Sequence, residues 1–270
     1  MSPDASAPGF LQPSPSPWLA LVTRPQAQAQ EWVSKLRARG QAAQALPLLA
    51  IQGAPNPAAL RAAVAAWPTQ VQVMFVSPNA VHCFRQALGP DWCWPAGARA
   101  LATGPGTVAA LCAAGVPQAA IVAPGPQSPQ FDSEALWALV AQEDWPGREV
   151  WIVRGEGGRD WLARTLDQAG ARVHTLQAYA RVRPVWGEPE QAVLQALRAQ
   201  PARARWLISS SEALDHLAAL TGPWPWHQST ALASHPRIEQ ACQRFGFGRV
   251  LPVGVGLEAA LAVLTADRGA

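Results

Sequence analysis

The sequence predicts an α/β protein with two similar lobes, each built around a parallel sheet. From Trp18 onward, short apolar runs alternate with helical patterns, which is typical of strands that are separated by helices. Several of these segments recur about 130 residues further along the chain. The chain has 270 residues, of which 49% are hydrophobic and 14% charged, so it suits one large or two modest domains with ample core.

Each predicted element follows from its pattern of apolar residues. The apolar runs predict strands at residues 18–23, 46–50, 71–76, 98–102, 119–122, 149–153, 171–176, 204–209, 229–233 and 248–251. The helical patterns predict helices near residues 26–39, 57–67, 78–88, 106–114, 132–142, 159–169, 188–199, 211–220, 236–245 and 256–266. Because a helix follows every strand, neighbouring strands are expected to run parallel.

Three pairs of segments carry the internal repeat, in the same order and at nearly one offset. The segment LVTRP and its helix match IVRGE and its helix at an offset of 130, which pairs Arg24 with Arg154 and Gly40 with Gly170. FVSPNAV (75–81) matches ISSSEAL (208–214), and ALATGPGT (100–107) matches ALASHPRI (231–238), at offsets of 133 and 131. Two related lobes explain this order, and chance similarity in so Ala- and Leu-rich a chain is the alternative.

Polar residues follow the predicted strands and precede the helices. In open α/β sheets this edge binds ligands, and helix N-termini there favour anions. Two such edges that face each other would form an anion-binding cleft. The residues at these positions are Arg24, Ser77, Thr103, Arg154, Ser210 and Ser234.

The stretch VRGEGGRDWL (153–162) looks like a glycine-rich phosphate loop but fails as a nucleotide motif. Gly155 and Gly157 fit the dinucleotide fingerprint, whereas Asp160 occupies the third glycine position and no acidic residue follows at the ribose position. Lys35 is the only lysine, so the chain lacks a Walker lysine after a glycine loop. What remains is a glycine turn with Arg154 and Arg159, which indicates either anion binding or a plain turn with Arg159 in solvent.

Composition excludes other classes of protein. The four cysteines form neither a CxxC pair nor a Cys/His pair, so no metal site is expected. The net charge of +3 does not indicate a nucleic-acid-binding surface. No apolar run approaches the roughly 18 residues of a membrane span. Residues 1–17 are rich in Pro, Ser and Ala and predict a disordered tail.

The ordered motifs resemble those of the uroporphyrinogen-III synthase family over residues 18–264. They are LVTRP, PLLAI, FVSPNAV, ATGPGTVAAL, VRGEGGRDWLARTLDQAGARV, QAYARV, LISSSEAL and HPRIEQA. The resemblance implies two Rossmann-like or flavodoxin-like lobes that a two-stranded β connection joins. It places lobe 1 at 18–50 plus 183–270, lobe 2 at 54–176, and the connections at 51–53 and 177–182.

The resemblance also implies the reaction. Enzymes of the family are lyases that cyclise hydroxymethylbilane to uroporphyrinogen III, with inversion of the last pyrrole ring and loss of water, in tetrapyrrole (haem) biosynthesis. They use no metal and no organic cofactor. The substrate is a polycarboxylate, which a cleft of Arg, Ser, Thr and backbone amides would suit. The resemblance further suggests a cytoplasmic monomer that binds neither nucleic acid nor membrane.

Tyr179, the only tyrosine, is the catalytic candidate that the resemblance implies, since the family has a tyrosine at this hinge. Its phenol would assist departure of the substrate hydroxyl by hydrogen bonding or proton donation. Arg181 and Arg183 follow it and are expected only to flank the connection. Helix capping or surface ion pairs are the alternative roles of the substrate-binding candidates. Those candidates are Arg24, Ser77, Thr103, Gly104, Thr107, Arg154, Gly155, Gly157, Arg159, Ser210, Ser211 and Ser234.

Two other functions compete with this interpretation. A nucleotide-linked oxidoreductase with two Rossmann-like lobes would need the fingerprint that fails at Asp160. A non-catalytic two-lobed protein that binds a small anion would need the same residues as the enzyme. The sequence leaves the second alternative open.

Overall fold

The computed structural model describes residues 17–157, 159–254 and 256–266. The predicted tail at 1–17 lies outside the described residues apart from Pro17. The strands within these ranges are β1 (Leu19–Val22), β2 (Ala43–Ala45), β3 (Ala50–Gly53), β4 (Gln72–Phe75), β5 (Arg99–Ala102), β6 (Ile121–Val122), β7 (Glu149–Gly155), β8 (Arg172–Val182), β9 (Ala204–Ile208), β10 (Thr230–Ala233) and β11 (Arg249–Pro252).

The α-helices alternate with these strands, as the sequence predicts. Those of the described residues are α1 (Gln26–Arg37), α2 (Pro57–Ala65), α3 (Pro78–Leu88), α4 (Pro105–Ala113), α5 (Ser133–Val140), α6 (Trp161–Gln168), α7 (Glu188–Arg198), α8 (Glu212–Thr221), α9 (Pro236–Phe245) and α10 (Leu257–Ala266). Helices α3 and α9 begin and end at the predicted residues.

The strand predicted at 46–50 is wrong. Strand β2 ends at Ala45 and β3 begins at Ala50, with a buried loop between them. Pro47 cannot donate to a strand ladder, and its carbonyl instead accepts a hydrogen bond from the Trp186 indole at 2.8 Å. The loop contains Leu46, Leu48 and Leu49, which are apolar because the loop is buried, and this run mimics a strand in the sequence.

The chain divides into two compact units. Unit 1 consists of Met1–Ala50 and Val182–Ala270, and unit 2 of Ile51–Arg181. Unit 1 has a five-stranded parallel sheet in the order β11-β10-β9-β1-β2. Unit 2 has a six-stranded sheet in the order β3-β8-β7-β4-β5-β6, in which β8, β7, β4, β5 and β6 pair in parallel.

The central strands are buried on both faces. Every residue of β9 in unit 1 and of β4 in unit 2 is buried, as expected for parallel strands that helices cover on both sides. Two hydrophobic clusters occur in each unit, and in unit 1 successive residues of β1 alternate between them. Among the described residues, the longest apolar helical segment is too short to cross a membrane.

The internal repeat is visible in the strand order and register of the two sheets. The order β2-β1-β9-β10 in unit 1 matches β8-β7-β4-β5 in unit 2. Val22 pairs with Leu207 in unit 1, and the residues at the repeat positions, Ile152 and Met74, pair in unit 2. The glycines that follow α1 and α6, Gly40 and Gly170, have φ angles of +74° and +90°, a conformation that favours glycine. The repeat predicted from the sequence is therefore confirmed.

Candidate active site

A cavity of about 180 Å³ lies in unit 2 where β7 and β8 approach the loop before α6. Its lining combines apolar side chains from β4, β7 and α6 with polar groups from the loop and from the end of β8. The polar lining includes Arg154, Gly155, Gly157, Arg159, Tyr179 and Arg181. Five of these six were predicted site residues, and the sequence distributes them over 28 positions, from 154 to 181.

Tyr179 is held by Gly155 on the neighbouring strand. The two residues are cross-strand partners at a β-bulge between Arg154 and Gly155. A Cβ atom added at Gly155 would lie 2.6 Å from Cε2 and Cζ of the Tyr179 ring, so only glycine leaves room for the ring. Tyr179 is 1% exposed, and its carbonyl accepts a hydrogen bond from the amide of Glu156 at 3.1 Å. The ring therefore packs on the β7 backbone at Gly155, and the Tyr179 backbone is held by the residue that follows this glycine.

The phenol oxygen of Tyr179 lies between a hydroxyl and a guanidinium. Ser77 Oγ is 3.3 Å from it, and Arg181 Nη2 donates to it at 3.4 Å. The Arg181 guanidinium carbon lies 5.7 Å from the centre of the ring. Ser77 is also the N-cap of α3, where its Oγ accepts from the amide of Ala80 at 3.2 Å. Ser77 therefore performs the alternative capping role and contacts the catalytic candidate as well.

Arg154 holds the glycine loop through contacts within the loop. Its guanidinium donates to the Asp160 carboxylate and to the carbonyl of Gly157. This hydrogen bond and the charge of Arg154 lower the pKa of Asp160. Gly157 has a φ angle of +67°, so the loop turns in a conformation that glycine adopts readily. Arg154 lines the cavity, but its charge is matched by Asp160.

Arg159 stands at the rim of the same cavity. Its guanidinium forms two hydrogen bonds with the Glu134 carboxylate, at 2.9 and 3.3 Å. The side chain is 69% exposed, so this ion pair is surrounded by water and contributes little to stability. An anion that replaced Glu134 beside Arg159 would therefore cost little free energy.

The start of α4 places three further predicted residues together. Gly104 is the N-cap of this helix, and a Cβ added there would meet Phe131 Cβ at 2.9 Å. Thr103 precedes the cap and is partly buried, whereas Thr107 in the first turn is 3% exposed. Unlike Tyr179, which is also buried, Thr107 does not line the unit 2 cavity.

The predicted residues of unit 1 lie at two places. Arg24 and Ser234 line a cavity of about 20 Å³ together with Trp32 and Ser209. Ser210 and Ser211 stand before α8, and Ser211 Oγ accepts a hydrogen bond from Arg237 at 3.4 Å. The structure thus brings Arg24 and Ser234 together and leaves the other two serines at a separate helix start.

Metal ligands are not clustered in the part of the chain that the structure describes. No group of three or more His, Cys, Asp or Glu side chains there could hold a metal ion. The polar groups of the unit 2 cavity are instead hydroxyls, guanidinium groups and glycine backbone, which suit hydrogen bonding to an anion.

Comparison with known proteins identifies the family. The family model described as uroporphyrinogen-III synthase HemD matches residues 30–262. The chain belongs to the uroporphyrinogen-III synthase family. Uroporphyrinogen-III synthase from Salmonella typhimurium is 30% identical to it over 207 residues, which cover 76% of this chain and 80% of that protein.

Solved structures of uroporphyrinogen-III synthases share the fold. The enzyme from Helicobacter pylori matches with a TM-score of 0.58 at 15% identity, over 93% of this chain and 100% of that chain. A mutant enzyme from Thermus thermophilus matches with a TM-score of 0.53 at 18% identity, over 93% and 98%. These likenesses confirm the predicted α/β fold with parallel sheets.

Uroporphyrinogen-III synthases are cyclising hydro-lyases of haem biosynthesis, and this is the function that the family and its relatives indicate for the chain. The predicted enzyme class is thereby confirmed, and the oxidoreductase and non-catalytic alternatives are not favoured. The roles of individual residues stay predictions.

Arg181 is the site residue that sequence reasoning assigned to the connection alone. It lines the cavity and contacts the Tyr179 hydroxyl. The sequence could have indicated this role, because side chains two residues apart in a strand lie on the same face. Residues 179 and 181 therefore share one face of β8. Trp32 and Ser209 were likewise not predicted, although their partners Arg24 and Ser234 were.

Proposed function

We propose that this uroporphyrinogen-III synthase uses Tyr179 as the proton donor for the hydroxyl that hydroxymethylbilane loses. The observation that carries the proposal is the position of the phenol oxygen, which lies beside the unit 2 cavity within hydrogen-bond distance of Ser77 and Arg181. The ring is fixed against Gly155, so the hydroxyl is presented in one orientation. Such preorganisation is what positioning catalysis requires.

In the proposed step one proton moves from Tyr179 to the hydroxyl that leaves the substrate. The C–O bond of the hydroxymethyl group breaks, the Tyr179 phenol gives its proton to the departing oxygen, and water leaves. Arg181 Nη2 lies 3.4 Å from the phenol oxygen, so a hydrogen-bond donor is already in place where negative charge develops in this step. The proton that the macrocycle releases after ring closure restores the phenol, so Tyr179 is unchanged at the end of the turnover.

Carboxylate recognition is proposed for the remaining predicted residues. In unit 2, Arg159 and the backbone amides at the starts of α3 and α4 are favoured, since Arg159 is exposed and helix N-termini attract anions. Thr103, Gly104 and Thr107 belong to the α4 start, where backbone amides rather than the buried Thr107 hydroxyl would bind. Arg154, Gly155 and Gly157 shape the loop. In unit 1 the candidates are Arg24, Ser210, Ser211 and Ser234.

The cellular setting is part of the same proposal. A cytoplasmic location is supported by the free state of all four cysteines, two of which are exposed. The monomeric state is proposed from the family resemblance alone. No metal or organic cofactor enters the proposed step, since proton donation by Tyr179 and recognition of carboxylates require none.

The test of the function is the isomer that the protein forms. Purified protein is given hydroxymethylbilane, the products are oxidised, and the uroporphyrin isomers are separated by chromatography. The proposal predicts isomer III in excess over the protein-free reaction. Isomer I alone, as forms without enzyme, would contradict it and would favour a non-catalytic anion-binding protein.

A further inference from the structure

The Arg24 cavity in unit 1 holds a guanidinium that has no anionic partner among the described residues. Arg24 is partly buried, and its guanidinium carbon lies 4.2 Å from the centre of the Trp32 ring. It makes no hydrogen bond or ion pair with any residue that the structure describes. Burial without a counter-charge lowers the pKa of Arg24. An unpaired, partly desolvated cation of this kind has a free-energy cost that an anion would remove.

Comparison of the two copies of the repeat shows that the unit 1 cavity lacks the acidic partner present in unit 2. Arg154 occupies the repeat position of Arg24 in unit 2, and Leu162 that of Trp32; both line the unit 2 cavity. There, Asp160 neutralises Arg154. Unit 1 has no acidic residue in the first turn of α1. The two equivalent cavities therefore differ in whether an acidic side chain neutralises their arginine.

Helices α1 and α10, which both contribute to the cavity, each carry one acidic residue. Glu31 on α1 forms an ion pair with Lys35. Glu258 on α10 forms an ion pair with Arg39 at 2.6 Å. Neither carboxylate contacts Arg24. The hydroxyl side chains that share the cavity with Arg24 are those of Ser209 and Ser234.

We infer that the Arg24 cavity is a subsite for a single carboxylate, with Arg24 as its cation and Ser209 and Ser234 as neutral hydrogen-bond donors. A volume of about 20 Å³ admits a group the size of one water molecule, so one carboxylate oxygen enters and the rest of the acid stays outside. Trp32 forms the apolar floor. An acetate or propionate arm of the tetrapyrrole has the required chemistry, and this identification rests on the proposed function.

The inference also assigns different tasks to the two copies of the repeat. The arginine of unit 2 organises its own loop, whereas the arginine of unit 1 is available to a ligand. A single substitution should give the unit 1 arginine a neutralising carboxylate of the kind that Asp160 provides in unit 2. Position 28 lies one helical turn before Trp32 and on the same face of α1, so Gln28→Glu places a carboxylate near the guanidinium without removing it.

The test follows the Trp32 ring during titration with sodium propionate at constant ionic strength. The protein is labelled with 5-fluorotryptophan, and the fluorine resonance that Trp32→Phe lacks is the reporter. The wild type is expected to show a saturable shift. Arg24→Gln and Gln28→Glu are expected to weaken binding by about tenfold or more. Ser34→Glu is the matched control, since it adds the same charge at an exposed position on another face of α1 and further along the chain from Arg24, and it should bind as the wild type does.

Two results would overturn the subsite. One is a Trp32 resonance that propionate does not move, and the other is equal binding by the wild type, Arg24→Gln and Gln28→Glu. Circular dichroism and thermal unfolding of each variant show whether it is folded. The isomer assay separates this inference from the proposed function. If the protein forms isomer III but propionate does not move the Trp32 resonance, the subsite alone is refuted. If propionate moves the resonance but only isomer I forms, the proposed function is refuted and the cavity remains an anion site.

Discussion

Gly155 and Tyr179 face each other across β7 and β8 so closely that the tyrosine ring occupies the space of a Cβ atom. The added Cβ would be 2.6 Å from two ring carbons, well inside van der Waals contact. The sequence suggested a different reason for this glycine, namely backbone amides that are open to an anion. The structure shows that Gly155 also makes room for Tyr179, and a variant can test this.

Gly155→Ala is expected to displace the Tyr179 ring. Overpacking of this kind costs about 1–3 kcal/mol of unfolding free energy, and movement of the phenol should lower kcat for isomer III. Urea denaturation and the isomer assay measure the two effects. Gly53→Ala is the matched control, because Gly53 also lies in a strand and an added Cβ there meets nothing within 4 Å. Equal behaviour of the two variants would refute the steric role of Gly155.

Asp160→Asn is expected to loosen the loop that Arg154 holds. Loss of the carboxylate weakens the contact that orders residues beside the cavity, so kcat/KM should fall by about threefold to tenfold. Asp167→Asn on the same helix α6 is the control, since the Asp167 side chain has no hydrogen bond or ion pair among the described residues. A fall in kcat/KM of the same size in both variants would show that general charge, rather than the loop contact, is responsible.

Glu143 is expected to make stability depend on pH. Arg99 donates to its carboxylate at 2.7 and 3.0 Å and Arg148 at 3.3 Å, and these contacts lower the pKa of Glu143 in the folded state. The stabilisation is therefore complete above the unfolded pKa of about 4.3 and is lost as the pH falls through the lower folded value.

Denaturation of Glu143→Gln from pH 7 to pH 3 measures this contribution. The variant should be about 1 kcal/mol less stable than the wild type at pH 7, and the difference should shrink on acidification. Asp144→Asn, whose side chain has no ion pair in the described part of the chain, should show no such trend. A difference that is constant over the whole pH range would contradict the ion-pair account.

Much of the fold was predictable because it follows from local pattern and repetition. The boundaries of α3 and α9 follow from Pro at the first helical position and glycine after the last. The repeat gave the correspondence of Arg24 with Arg154, and the ladder registers agree with it. The loop at 46–49 was predicted as a strand because burial makes a loop as apolar as a strand, and periodicity cannot distinguish the two.

The site was less predictable because its contacts join residues that are distant in sequence. Asp160 was noted only as a break in the dinucleotide fingerprint, and its contact with Arg154 became apparent in three dimensions. The contact of Ser77 with Tyr179 joins positions 102 residues apart. Residue types and strand ends indicated where an anion would bind, whereas the pairing of each charge depends on side-chain paths that the sequence does not specify.

The measurement that tests the central claim most directly is the rate at which Tyr179→Phe forms isomer III. Phenylalanine keeps the ring that packs on Gly155 and removes only the hydroxyl beside Ser77 and Arg181. With proton donation from the phenol, kcat should fall by about 10- to 100-fold while KM and the unfolding free energy stay near the wild-type values. A variant that is folded and turns over hydroxymethylbilane at the wild-type rate would contradict the claim.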